Sequence, residues 1–307
     1  MDYNFVKRYE GNPIVTRDDI KDIPGGCNSV FNTSIFKVGS KYKGIFRVEQ
    51  RSGIQSMRLG DSDDGIKFKI HPQRLLLPQN KEQALYEEAI YDPRVVNIGG
   101  TYYITYASEN IYGCQVAMAS TRDFKTFKRY GCVSEPENRN LVLFPEKIKG
   151  KYYRLDRPFQ HDAGFIWLQE SPDLIYWGNP RCIMQSRRFA WDRGKIGAGA
   201  PPIRIKEGWL VLYHGTTPLC NNLIYRLGVA ILDYEKPWIV KHRAKAYILS
   251  PDAEYERFGD VPNVCFLNGA IADSRKDELR LYYGASDQSV CLATCRLSDM
   301  IKFAKTM

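Results

Sequence analysis

The chain has little of what marks several large protein classes. No stretch approaches the run of about 18–20 apolar residues that a helix needs to cross a bilayer. The opening residues, "MDYNFVKRYEGNP", have no apolar core of the kind a secretory signal carries. Histidine is scarce, four in 307 residues, and no pair stands at metal-ligand spacing. The eight cysteines (Cys27, Cys114, Cys132, Cys182, Cys220, Cys265, Cys291 and Cys295) include no C-x-x-C pair. A disulfide framework and a thiolate metal site are therefore not expected, and the cysteines read as reduced, buried thiols of a cytoplasmic protein. Net charge is +9, but the basic residues come singly or in short clusters such as "KIKGK". The concentrated stripe of a nucleic-acid binder is missing, so neither nucleic acid nor membrane is expected as a partner. Nucleotide fingerprints are missing too. "KIGAGAPP" (195–202) lacks the terminal Lys-Ser/Thr of a phosphate loop, and Pro201-Pro202 forbids the helix that should follow. It reads as a flexible loop, whose glycines either admit a ligand closely or turn the chain between repeats.

What the chain does have is repetition. A polar residue or glycine, then an aromatic, then alternating apolar residues recur as "SKYKGIFRVE" (40–49), "GTYYITYASE" (100–109), "GKYYRLDRP" (150–158), "EGWLVLYHG" (207–215) and, more weakly, "DELRLYYGA" (277–285). A hydroxyl residue, a spacer, aspartate and an aromatic four residues on follow three of them: "SDDGIKF", "TRDFKTF" and "SPDLIYW". Aspartate there bonds nearby backbone N–H groups and sets a turn, and the aromatic packs in the next strand. "DYEKPW" (233–238) is a fourth, irregular copy. Helix is expected only over 81–89 and in "DMIKFAK", capped by Ser298. Tyrosine-rich strand repeats 50 to 70 residues apart predict an all-β fold, a five-bladed β-propeller formed by residues 1–307 as one domain, in preference to a pair of β-sandwiches.

Propellers place their site where the inner strands converge at one end of the channel. Polar residues in the same zone of each unit are Asn32 and Arg47, then Asp92, then Arg139 and Arg157, then Lys195, His214 and Tyr225, then Asp260 and Asp287. Singly, each has an ordinary explanation: Arg139 or Arg157 as a surface ion pair with Glu137 or Asp156, His214 as a hydrogen-bonded strand residue. Together the cations suit an oxyanion, since arginine offers a fixed fork of donors. In "AIYDPRVV" (89–96), Pro93 biases Asp92 toward extended backbone. Asp92 and Arg94 are then either a turn salt bridge or the edge of an active site. Inverting hydrolysis of a glycoside needs an acid and a base, whereas phosphate arrives already nucleophilic. One prominent carboxylate beside an oxyanion cluster therefore fits phosphorolysis. A hydrolase would need a second carboxylate, for instance Asp260 or Asp287, and a sugar-binding propeller would need neither.

"YEGNPIV", "NSVFNTSIFKVGSKYKGIFRVE", "YDPRVV", "RNLVLFPEKIKGKYYRLDRP", "KIGAGAPP", "LYHG", "YILSPDAEYERFGDVPNV" and "LYYGASD" together resemble glycoside hydrolase family 130, the mannoside phosphorylases and related enzymes, over essentially the whole chain. The resemblance implies a five-bladed propeller that releases α-mannose 1-phosphate from a β-mannoside with inversion, with Asp92 as general acid acting through the O3 hydroxyl of the bound mannose. It implies phosphate binding by Arg139, Arg157, Lys195, His214 and Tyr225, and donor-sugar binding by Asn32, Arg47 and Asp287, with Tyr91 and Asp260 near the acceptor. Inorganic phosphate is then the co-substrate, with no cofactor or metal, and the other substrate is a β-1,4-mannooligosaccharide or mannosyl-N-acetylglucosamine. Homo-oligomers are compatible with it. The chain departs from the family pattern at Gly53, where relatives carry an arginine, with Arg51 and Arg58 nearby.

Overall fold

In a computed structural model that describes residues 4–160 and 163–306, the strands form five antiparallel sheets that follow one another along the chain. This is the five-bladed propeller. Blade one comprises Cys27–Val38, Lys41–Gln50, Gln55–Ser62 and Lys69–Leu75. Blade two runs through Ala89–Ile98, Thr101–Asn110, Gly113–Thr121 and Lys128–Cys132. Blade three is Asn138–Leu143, Tyr152–Gln160, Ile166–Ser171 and Gly178–Met184, and blade four Ile196–Ala198, Gly208–Pro218, Leu223–Leu232 and Val240–Arg243. Blade five takes Cys265–Asp273, Glu278–Ala285 and Ser289–Arg296, and its outer strand is Lys7–Arg8 from the other end of the chain. Lys7 pairs with Thr294 and Arg8 with Ala293, which closes the ring.

The repeated sequence units are the second strands of the blades. These strands are buried on both faces, so neighbouring residues serve different seams. Ile45 packs against blade two while Phe46 packs against blade five; Tyr282 packs against blade one while Tyr283 packs toward blade four. The apolar core is thus five seams, with the aromatics at their centres: Phe46, Tyr106, Tyr153, Trp209, Tyr213, Tyr282 and Tyr283. Burying each contributes on the order of 2–3 kcal/mol.

The hydroxyl-x-Asp motifs are the turns into the outer strands. Ser62 Oγ accepts from the Gly65 amide, and Asp64 Oδ1 from the amides of Ile66 and Lys67. Thr121 with Asp123 and Ser171 with Asp173 repeat the pattern. Asp233 keeps its half, accepting from Glu235 and Lys236.

Several expectations need correction. The helix at 81–89 ends at Tyr86, with Asn80 as its N-cap, because the chain must become the inner strand of blade two from Ala89. The last helix is Leu297–Ala304, and Ser298 lies inside it; Ser298 donates its hydroxyl to Asp277 instead of capping. "KIGAGAPP" is no loop: Ile196–Ala198 is the buried inner strand of blade four. All eight cysteines are free, but Cys220 is exposed, and Cys132, Cys182 and Cys295 are half-buried.

Candidate active site

Four of the five inner strands share a local defect. Register slips by one residue between Phe31 and Ser34, between Tyr91 and Arg94, between Arg139 and Val142, and between Leu267 and Gly269. These are β-bulges, which leave a residue unpaired and re-aim its side chain. The bulged residues in blades one to three are Asn32, Asp92 and Asn140, at φ of 44°, 53° and 61°. Asparagine and aspartate tolerate this left-handed region better than other residues with a β-carbon. Asp92 is therefore left-handed, not extended as Pro93 predicts, because the bulge overrides the local preference.

These three residues point into a cavity of about 280 Å³. Asn32, Arg47, Tyr91, Asp92, Arg139, Arg157, Lys195, Tyr225 and Asp287 all line it. The structure thus brings nine of the eleven residues singled out in the sequence to one place. His214 lies behind them, fully buried, and Asp260 stands exposed outside, accepting from Asn28 Nδ2 at 2.7 Å. Sequence reasoning missed Asn140, Gln55, Glu109 and Phe266, which also line the cavity. Of these, Asn140 had a signal, since it stands beside Arg139 in "RNLVLF" as Asp92 stands beside Tyr91. Neither Arg51 nor Arg58 lines the cavity: Arg58 pairs with Asp22 at 2.8 Å, and Arg51 lies over Gly26.

At one end stands Asp92. Its Oδ1 accepts from Arg47 Nη1 at 2.8 Å and from Asn32 Nδ2 at 3.0 Å. Arg47 is sandwiched between the rings of Phe31 and Tyr91, 4.2 and 4.5 Å from their centres. The turn salt bridge with Arg94 does not form, because Arg94 donates to the backbone carbonyl of Asp92. With cation and amide both on Oδ1, Oδ2 is the oxygen left for a transferable proton. Two further carboxylates share this end. Glu109 accepts from the Tyr91 hydroxyl at 3.0 Å. Burial pushes the Asp287 carboxyl up to about 7, with Arg47 opposing and Asp92, Asp260 and Glu49 adding to the rise.

Beside these carboxylates the charge is positive. Arg139, Arg157 and Lys195 surround the ring of Phe159 at 5.6, 4.7 and 5.9 Å. Among the described residues neither Arg157 nor Lys195 has a carboxylate partner, and Arg139 has only Glu137, 3.9 Å away. Asp156, the ion-pair partner considered for Arg157, pairs with Arg154 at 3.1 Å. Arg157 and Lys195 are consequently depressed, whereas nearby acidic groups, Tyr91, Asp92 and Glu109 among them, raise Arg139 against the effect of its burial. Burial first, then Arg157 and Arg139, hold Lys195 down at about 8, and burial, with Arg139 and Arg94 adding to it, brings Arg157 down to about 9. Tyr225 is pushed up to about 12 by burial and remains a neutral donor. Arg157 Nη1 donates to His214 Nε2 at 2.7 Å. Arginine can only donate, so the imidazole proton is on Nδ1, and burial holds His214 far below its ordinary value, as a neutral ring. Gly197 makes the pairing possible: a β-carbon there would lie 2.6 Å from His214 Cε1 and 3.0 Å from Arg157 Nη1. A cavity that sets cations with little neutralising charge among the described residues beside a carboxylate held by arginine is suited to an anion and a polyhydroxyl substrate together.

The chain is similar to known proteins over nearly its whole length. Residues 4–306 match the glycoside hydrolase family 130 model, described as beta-1,4-mannooligosaccharide phosphorylase. The chain is 38% identical to a beta-1,4-mannooligosaccharide phosphorylase of Ruminococcus albus, over 98% of this chain and 91% of that one. It is 37% identical to a beta-1,2-mannobiose phosphorylase of Listeria innocua, over 81% and 69%. The solved Listeria innocua beta-1,2-mannobiose phosphorylase, in complex with beta-1,2-mannobiose, superimposes with a TM-score of 0.89 at 30% identity, covering 99% of both chains. This chain belongs to glycoside hydrolase family 130 and is one of its β-mannoside phosphorylases.

Proposed function

We propose that the enzyme cleaves β-1,4-linked mannosides, mannooligosaccharides or mannosyl-N-acetylglucosamine, by inverting phosphorolysis. The observation that carries this reading is the set of three cations around Phe159, in the same cavity as Asp92, with so little negative charge among them in the described residues. A phosphate dianion supplies the missing charge there, and Arg139, Arg157, Lys195 and the Tyr225 hydroxyl orient it. Its oxygen attacks C1 of the terminal mannose as the glycosidic C1–O bond breaks on the opposite face. The leaving oxygen takes a proton that originates on Asp92 Oδ2 and passes through the mannose O3 hydroxyl. The products are α-mannose 1-phosphate and an acceptor sugar shortened by one residue. Asn32, Arg47 and Asp287 hold the mannose, with Tyr91 and Asp260 toward the acceptor. His214 acts from behind, by fixing Arg157. Support for the β-1,4 linkage comes from the extent of similarity to the Ruminococcus enzyme, 91% of its length against 69% of the Listeria sequence.

The test is incubation with β-1,4-mannobiose, mannosyl-N-acetylglucosamine and β-1,2-mannobiose, each with and without phosphate, with anion-exchange detection and anomer assignment by NMR. α-Mannose 1-phosphate from a β-1,4 substrate, formed only with phosphate, is the expected result. Sugar phosphate from β-1,2-mannobiose alone would overturn the linkage. Free mannose irrespective of phosphate would make the protein a hydrolase, with Asp287 as the first candidate for the base.

A further inference from the structure

Arg94 is the buried cation that the reaction described above leaves without a task. Its side chain is almost completely buried, and among the described residues it has no carboxylate partner. Nη1 donates to the carbonyl of Asp92 at 3.0 Å, Nη2 to Asn140 Oδ1 at 3.2 Å and Nε to the carbonyl of Gly199 at 2.8 Å. Its guanidinium also faces the ring of Phe266 at 5.7 Å. One side chain from blade two thereby reaches blades three, four and five beneath the cavity floor.

Each bond acts on something the reaction uses. The bond to the Asp92 carbonyl fixes the left-handed bulge from which that carboxylate projects. The bond to Asn140 decides which way its amide faces: arginine supplies only donors, so Oδ1 turns to Arg94 and the Nδ2 donors are left without a partner among the described residues. The bond to Gly199 ties the same guanidinium to the strand that carries Gly197 and, just before it, Lys195. Its charge is also felt at the anion end, where it is among the causes that hold Arg157 and His214 down.

We propose that Arg94 is a positioning residue for phosphorolysis, setting Asp92 and Asn140 in register with the anion end of the cavity and adding an unneutralised charge that draws the phosphate in. This rests on the assignment of Asp92 as acid and of the cationic end as the phosphate site.

The experiment compares full-length Arg94→Lys and Arg94→Gln with the wild type, measuring melting temperature and, per folded molecule, kcat and the KM values for phosphate and mannoside. Both variants lose the three-pronged geometry, so kcat is expected to fall on the order of 10²-fold in each. Lysine keeps the charge and glutamine does not. Phosphate KM should therefore stay within about threefold of wild type in Arg94→Lys and rise by about tenfold in Arg94→Gln. A lower melting temperature with kcat and phosphate KM unchanged in both would overturn the proposal and leave Arg94 a stabilising tie between blades, as would failure of both variants to fold. Failure of the underlying assignment looks different: the wild type would turn over without phosphate, or Asp92→Asn would remain active.

Discussion

Replacing Arg157 by methionine should make the protein more stable and a much poorer phosphorylase. The guanidinium is buried, faces Phe159 at 4.7 Å and, among the described residues, has no carboxylate partner and donates only to His214. It is held near 9 instead of its ordinary 12.5. Each tenfold in that difference corresponds to about 1.4 kcal/mol, so the buried charge opposes folding at neutral pH by roughly 5 kcal/mol. The direction follows from linkage. Below about pH 9 folded and unfolded chains both carry the proton and the penalty is full; it is relieved only as pH climbs from there toward 12.5. Methionine keeps most of the apolar stem against Phe159 and loses the bond to His214, worth about 1–1.5 kcal/mol. Allowing for imperfect packing, a net gain of about 1–3 kcal/mol remains, a melting temperature several degrees higher. For phosphate the same change removes a charge-assisted donor worth about 1.5–3 kcal/mol, so its KM should rise roughly 10- to 150-fold. Melting must be followed in phosphate-free buffer, since bound phosphate stabilises the wild type by mass action. Initial rates across a phosphate series supply the other half. A melting temperature that drops while phosphate KM stays put would refute the reasoning, because Arg157 would then be a structural cation.

Three other changes probe the remaining parts. Asp92→Asn should cut turnover by about 10²- to 10⁴-fold and move the melting temperature little, since it removes the proton without altering shape; near-normal turnover would mean another group is the acid. The Asp287 carboxyl, raised to about 7, contributes stability that is full below about pH 4 and lost as pH rises through 7. Asp287→Asn should accordingly gain in melting temperature relative to wild type between pH 5 and pH 8, and a gap that does not change with pH would count against a protonated carboxyl there. Gly197→Ala should force His214 and Arg157 apart and raise phosphate KM, leaving mannoside KM within about twofold; equal loss of both affinities would show that the strand itself had moved.

The parts of this structure that the sequence declares are those governed by local chemistry. The second strands carry glycine, aromatics and alternating apolar residues because both their faces lie in seams, and the Ser/Thr-x-Asp turns close on their own backbone. These fixed the blade count. The inner strands are harder to read because the ring, and not their own composition, shapes them. Ile196–Ala198 looks like loop because glycine there leaves room for Arg157 and His214, a requirement set by residues on other strands. Asp92 has its left-handed backbone despite the following proline because a bulge demands it. His214 and Asp260 carry the types expected of site residues, but only the fold distinguishes a residue behind the cavity from one outside it. Ser298 satisfies the pattern of a cap, and Asp277 takes its hydroxyl first.

The clasp between Lys7–Arg8 and Ser289–Arg296 also imposes an order on biosynthesis. Asn12 bonds the carbonyl of Leu292, 280 residues later. At ribosomal speeds of about 5–20 residues per second, the segment translated first waits on the order of tens of seconds for its partner to emerge. Until then Lys7–Arg8 has no blade to complete, and the first blade lacks one wall of its seam. Blades two to four, whose strands are contiguous, are free to form in that interval. The cavity, which draws on all five blades, is the last thing the nascent chain completes. An N-terminal fusion or truncation should therefore act on the yield of closed rings far more than on the catalytic constants of those that close.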